Sequence, residues 1–456
     1  MSASSTIAAI STPQAAGGIG IVRISGADAI KVTENVFKAS NGRLLSQSEG
    51  YRAYYGKVWD NSVAVDEAVC LVFRAPHSFT GEDTAEISCH GGLYIMQRVL
   101  QAVLRAGANP AEPGEFTKRA FLNGKIELSD AEAVMSLICA QGEQAAQAAL
   151  TALEGALSKK IHKCAEKLIY CAAQIAAWVD YPDEDIEEIS LKNLIELFVI
   201  TKMTLEELLS RFNTGRAVSE GVETVIVGRP NVGKSTLMNL LTGFERSIVT
   251  EYAGTTRDVV EETVRLGDLI LHLADTAGLR NTDNPVESIG VERALKKLRR
   301  ADLVLAVFDG SDRLTHEDKN LLENCKDKLT IAVINKTDLP RALDLEYINS
   351  IAADTVEISA ASGEGLDSLS IAVARLLGTD KFDPSAAMLA NERQRACCKK
   401  ALEWIEKALT AAKDGQTMDA INVCIDSAIE ALLELTGEKA SEAVVNAVFS
   451  SFCVGK

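Results

Sequence analysis

The sequence is poor in positive charge. Its 456 residues hold 47 Lys and Arg against 64 Asp and Glu, a formal net charge of −17. Such a chain repels polyanions on average, so contact with nucleic acid needs a local basic patch. The densest cluster, Lys296, Lys297, Arg299 and Arg300, reads first as a solvated helix face. Long apolar runs are also missing. The longest, over residues 168–179, is broken by Gln174 and falls short of the roughly 20 residues that span a bilayer. Residues 1–18 have neither a basic n-region nor an apolar h-region, which argues against a signal peptide. The ten cysteines are scattered without a Cys-x-x-Cys pair, and only Cys397 and Cys398 adjoin. Disulfide frameworks belong to short secreted chains, so reduced thiols and a cytoplasmic location are expected. Internal repeats and low-complexity tracts are absent.

What remains is ordinary globular material, 47% hydrophobic and 24% charged, of a length for about three domains. Residues 1–118 mix short β-like runs, at 20–25 and 68–73, with a helix over 93–106 and glycine punctuation at Gly17-Gly18 and Gly91-Gly92. Residues 119–216 turn Ala- and Leu-rich with helical spacing, broken near Asp180-Tyr181-Pro182-Asp183. Residues 217–380 alternate short apolar runs with helical stretches, the pattern of a parallel α/β sheet. Residues 381–456 are again helical. The fold class is thus α/β plus α: an α+β N-terminal domain, and a discontinuous helical bundle into which a phosphate-loop domain is inserted. Insertion is tolerated at exposed loops where domain termini lie close together.

The inserted segment carries the chemistry. Gly228-Arg229-Pro230-Asn231-Val232-Gly233-Lys234-Ser235 follows a β-like run and precedes a helix, the setting of a phosphate-binding loop. Its glycines let backbone N–H groups face phosphates at a helix N-terminus. Lys234 can bridge the β- and γ-phosphates and Ser235 can ligate Mg²⁺. Asp275-Thr276-Ala277-Gly278 closes the run 269–274 and can serve Mg²⁺ and sense a γ-phosphate. Asn335-Lys336-Thr337-Asp338 follows another run. The Asp338 carboxylate can accept two N–H bonds from guanine, where adenine offers a repelling acceptor. Lys336 would cover the base, and Ser359-Ala360-Ala361 would supply a backbone contact to the guanine oxygen. In Gly254-Thr255-Thr256-Arg257-Asp258, either threonine can be the one that reaches Mg²⁺. The glutamine that switch GTPases use to orient water is replaced by Leu279, so hydrolysis needs another residue or a partner. Cys453, in the terminal Phe452-Cys453-Val454-Gly455-Lys456, reads on packing grounds as a small buried hydrophobe.

These motifs, with the terminal Cys-Val-Gly-Lys, resemble the tRNA modification GTPase family MnmE, also called TrmE. The N-terminal stretch resembles it too, through residues 18–26, Ser78-Phe79-Thr80-Gly81-Glu82-Asp83, His90-Gly91-Gly92 and residues 113–125. The resemblance spans the whole chain. It implies a GTP-hydrolysing homodimer that works with a flavin-dependent partner of the MnmG (GidA) type, as a heterotetramer. Together they modify carbon 5 of the wobble uridine of tRNA, adding aminomethyl or carboxymethylaminomethyl groups. A tetrahydrofolate derivative would supply the one-carbon unit, bound by Arg23, Glu82, Lys125 and the nearby Lys456. Nucleotide contacts would come from Asn231, Val232, Gly233, Lys234, Ser235 and Thr236. Others would come from Thr250, Glu251, Tyr252, Ala253, Gly254, Thr255 and Thr256, from Asp275, Thr276, Ala277 and Gly278, and from Asn335, Lys336, Asp338, Ser359, Ala360 and Ala361. The resemblance further implies Mg²⁺ on Ser235 and Thr256, and K⁺ on Asn231, Thr250, Tyr252 and Thr255. Glu287, with Lys234, would be catalytic, Glu287 orienting water. Cys453 is a third catalytic candidate. The competing expectation is a ribosome-assembly switch GTPase. Those usually append an RNA-binding module or a second G domain, and neither a Gly-x-x-Gly clamp nor a second phosphate loop is evident.

Overall fold

The computed structural model describes residues 5–180, 190–244, 262–274 and 298–456. Thr250, Glu251, Tyr252, Ala253, Gly254, Thr255, Thr256, Asp275, Thr276, Ala277, Gly278, Leu279 and Glu287 lie outside them. The chain divides into two compact units. One comprises Met1–Met135, Ser158–Leu197 and Glu403–Lys456; the other comprises Ser136–Leu157 and Phe198–Leu402. The described helices, in chain order, are α1 (Ala29–Val36), α2 (Leu93–Arg105), α3 (Glu115–Leu122), α4 (Leu128–Cys139), α5 (Glu143–Leu153), α6 (Ala156–Asp180) and α7 (Leu191–Glu220). There follow α8 (Lys234–Phe244), α9 (His316–Cys325), α10 (Glu346–Asn349), α11 (Leu366–Leu377), α12 (Glu392–Lys413), α13 (Met418–Thr436) and α14 (Glu442–Ser450).

The first unit is built on a seven-stranded sheet. Its strands are β1 (Ile7–Ile10), β2 (Ile19–Ser25), β3 (Phe37–Ala39), β4 (Arg52–Asp60), β5 (Val63–Phe73), β6 (Thr84–His90) and β7 (Asn109–Pro110), in the order β3-β4-β5-β6-β2-β1-β7. Only β1 and β7 pair in parallel. Alternation explains the two faces. Val22, Ile24, Ala85 and Ile87 pack with α1 and α2 residues such as Val32 and Val99. The intervening Arg23, Ser25 and Glu86 leave that core for the opposite face, where Ile7 and Ala9 meet Phe116 of α3. The chain's end is fastened there. Phe449 and Phe452 are buried beside Phe121, with ring centroids 6.2 Å (Phe121–Phe449) and 5.2 Å (Phe449–Phe452) apart. Val454 then bridges to Pro113, Gly114 N–H donates to Cys453 O (3.3 Å), and Phe116 N–H donates to Lys456 O (3.1 Å).

The second unit holds a six-stranded sheet: β8 (Val222–Val227), β9 (Glu262–Leu266), β10 (Leu269–Ala274), β11 (Leu303–Asp309), β12 (Leu329–Asn335) and β13 (Asp354–Glu357). The order is β13-β12-β11-β8-β10-β9. Five strands are parallel, as the apolar runs imply. The sixth departs from the expected parallel pattern, because β9 pairs antiparallel with β10. It is an edge strand in which Val264 and Leu266 alone are buried between polar neighbours, so it leaves no continuous apolar run to read. The core between sheet and helices gathers Leu237 and Leu241 of α8 and Leu369 and Val373 of α11 against Leu271, Leu305 and Val333.

Candidate functional site

Parallel strands deliver their C-terminal ends to one edge, and ligands of open α/β sheets sit at that edge. The loop after β8 folds as the motif requires. Asn231 (φ 67°) and Gly233 (φ 100°) adopt left-handed backbone, and a Cβ at Gly233 would lie 2.0 Å from Asn335 Nδ2. Asn231, Ser235 and Thr236 are exposed, whereas Val232 is buried. Lys234 Nζ donates to the Gly228 and Arg229 carbonyls, 2.7 Å each, so the lysine closes the loop upon itself. Burial lowers its pKa, and a phosphate anion would offset that penalty.

The buried Asn335 side chain ties this loop to the Asn335–Asp338 and Ser359–Ala361 segments. Its Nδ2 donates to Val232 O (2.8 Å), and its Oδ1 accepts from Ala360 N–H (2.9 Å). Asp338, exposed on the same edge, accepts from Ser359 Oγ at 2.7 Å. Lys336 sits in left-handed backbone (φ 66°) and donates its ammonium to Asp309 at the end of β11. Burial would raise the Asp309 carboxyl, but hydrogen bonds from Lys336 and Ser311 outweigh it and hold it below the usual carboxylate value. Asn335, Lys336, Asp338, Ser359, Ala360 and the exposed Ala361 thus converge with the loop of Gly228 and Lys234. Asp309 was not legible beforehand, since a single acid after an apolar run carries no motif.

A second cluster lies on the N-terminal sheet. Arg23 pairs across strands with Glu86 (Nε–Oε1 2.7 Å), lies over the Phe116 ring at 5.6 Å, and reaches Gly455 O at 3.4 Å. Ser11 Oγ donates to that same carbonyl at 3.0 Å. Glu82 accepts from Ser25 Oγ (2.8 Å) and from Arg119 (3.2 Å). Lys125 is exposed, donates to Pro76 O at 3.1 Å, and lies against Gly81. Arg23 and Glu82 are therefore half-buried network members, where bare sequence reads them as ordinary surface charge. Arg119 was missed because a lone arginine inside a helical pattern reads as surface. The expectation for Cys453 is corrected: it is exposed, and its neighbours Phe452 and Gly455 do the anchoring.

With this geometry in view, the comparisons are specific. The model of the GTP-binding protein TrmE N-terminus matches residues 6–125, and that of the MnmE helical domain matches residues 128–453. The tRNA modification GTPase MnmE of Lactococcus lactis subsp. cremoris strain MG1363 is 43% identical over 99% of this chain and 98% of its own length. The proteins of that name from Listeria innocua and Geobacillus kaustophilus are 41% and 42% identical, each over 99% of this chain and 99% of their own length. The G domain of the T. maritima FeoB iron transporter aligns at TM-score 0.26 and 25% identity, over 34% of this chain and 98% of that one, a likeness too slight to argue from. A full-length match above 40% identity, with both family models, settles the lineage: the chain belongs to the MnmE family of tRNA modification GTPases.

Proposed function

We propose that this GTPase is the GTP-hydrolysing half of a machine that modifies carbon 5 of wobble uridine in tRNA, with a folate as one-carbon donor and a flavin-dependent partner. Its working parts are an N-terminal folate-binding and dimerising domain (1–118), a helical domain in two segments (119–216 and 381–456) and a G domain (217–380). Membership of the family brings GTP and Mg²⁺. In the G domain Lys234 leaves the Gly228 and Arg229 carbonyls to bridge the β- and γ-phosphates, while Asp338 accepts guanine's two N–H donors under Lys336. Ser235, exposed at the start of α8, suits Mg²⁺, with Thr256 as its partner. Asn231, Thr250, Tyr252 and Thr255 are assigned to K⁺, and Glu287 orients the attacking water in place of the glutamine absent at Leu279. A bound monovalent cation supplies positive charge beside the phosphates, the role an arginine finger fills elsewhere. Cys453 is assigned to the modification chemistry.

The observation that carries the folate assignment is the fastening of the chain's end beside Arg23. Its guanidinium has five donors, of which Glu86 and Gly455 O, among the described residues, engage two. The remainder, with Lys125 and Lys456, can meet the oxygens of a folate, and Glu82 can pair with donors on its pterin ring. Calorimetry on the full chain with 5-formyltetrahydrofolate, without GTP, tests this. Binding that Arg23→Ala abolishes is expected. Retained binding in that variant removes Arg23 from the site.

A further inference from the structure

One residue on this face matches no role so far. Helix α3 presents Glu115 and Arg119 one turn apart on one side, Asn123 caps its C-terminus four residues on, and all three are engaged. Arg119 has only 9% of its side chain exposed. Its Nη1 donates to Ser5 O (2.7 Å) and to both oxygens of Glu82 (3.2 Å each), and its Nη2 donates to Glu115 Oε1 (2.8 Å). Asn123 Nδ2 donates to Thr80 O (2.7 Å), fixing the loop that carries Glu82. Two carboxylates thus share one guanidinium, and Glu115 holds it from the helix side.

Among the described residues, Glu82 is held from two directions. Ser25 Oγ reaches Oε2, and Arg119 Nη1 reaches both oxygens. An ionised carboxylate has about four acceptor positions; these contacts engage three, which leaves one, on Oε1, for a further N–H donor. Its orientation is set by Arg119 Nη1, whose place is fixed by the planar guanidinium that Glu115 holds through Nε and Nη2, an arrangement a lysine's point charge cannot reproduce.

We propose that Arg119 is a positioning residue for the folate site, acting through Glu82 to aim the remaining acceptor position of its carboxylate at the 2-amino N–H donor of a pterin. The proposal rests on the folate reading above. Its test is the ratio of affinities, by calorimetry on the full chain, for 5-formyltetrahydrofolate and for its 2-desamino-2-methyl analogue, which lacks that donor. Wild type should prefer the amino compound by about tenfold to a hundredfold, the range of a charge-assisted hydrogen bond. Glu82→Gln and Arg119→Lys should both bring the ratio close to one. A scaffold role for Arg119 would weaken both ligands equally and leave the ratio alone, which overturns the proposal. If Glu82→Gln keeps the wild-type ratio, the assignment of Glu82 to folate fails. If Glu82→Gln loses it and Arg119→Lys keeps it, the folate reading stands and the Arg119 proposal falls. Should Arg119→Lys fail to fold, Glu115→Gln supplies the answer. It preserves volume while releasing the guanidinium from α3, and it should lower the ratio by about threefold; an unchanged ratio there also overturns the proposal.

Discussion

The Asp338 carboxylate stands exposed at the strand edge, oriented by Ser359 Oγ at 2.7 Å. Its proposed partners on guanine are both donors, so Asp338→Asn should weaken GTP by about a hundredfold or more. The same change should favour xanthosine triphosphate, whose ring offers an acceptor where guanine has its amino group. Unchanged discrimination in calorimetry would reject the assignment. Asp309 gives a prediction in pH. Its pKa is lowered in the fold, so its stabilising contribution is complete above the ordinary carboxylate range and is lost as pH falls through the folded value. Asp309→Asn should flatten the acid limb of the melting curve, and an unaltered limb would remove Asp309 as its source. The cysteines divide by burial. Burial pushes Cys70 up to about 12, and Cys89 and Cys325 to about 11, whereas Cys453 is exposed. Since the thiolate is the reactive form, brief alkylation of the native protein followed by mass analysis should mark Cys453 and spare those three. An unmarked Cys453 would contradict its exposure.

At the scale of elements, the fastened chain end has the least slack. Gly455 has φ 95°, and a Cβ there would lie 2.3 Å from Ile10 O, so Gly455→Ala forces the tail off the sheet. Phe452→Ala removes its buried ring and should cost about 3–5 kcal/mol in denaturant melts. Gly455→Ala should cost less in stability yet lose folate binding as Arg23→Ala does. Folate binding intact in Gly455→Ala would separate the tail from the site. Periodicity made some elements legible and left others hidden. The helix expected over 93–106 is Leu93–Arg105, the apolar run 269–274 is β10, and the alternation expected over 217–380 contains β8 and β11 to β13. Strands β1, β3 and β7 were not legible, being only two to four residues long, too short for alternation to register. The phosphate-loop pattern and the Asn335-to-Asp338 pattern were readable because each is a short contiguous motif at the end of an apolar run. The Arg23, Glu82 and Arg119 network was not, because its members lie far apart in sequence and only the β2–β6 register and α3 bring them together.

At the scale of the molecule, the composition and the fold answer different questions. A net charge of −17 means that the proposed contact with tRNA is made locally or through a partner. The G domain should turn over GTP faster in potassium than in sodium, and a transition-state mimic should dimerise it only in potassium. Glu287→Ala should slow turnover with GTP affinity nearly kept, since its contact matters in the transition state. Equal rates in the two salts would place the missing positive charge elsewhere. The most direct test of the whole assignment is mass analysis of wobble uridines in cells deleted for this protein. Loss of the carbon-5 substituent, restored by the wild-type gene and not by Lys234→Ala, is the expected result. Fully modified wobble uridines in the deletion strain would contradict it and favour a switch GTPase acting elsewhere.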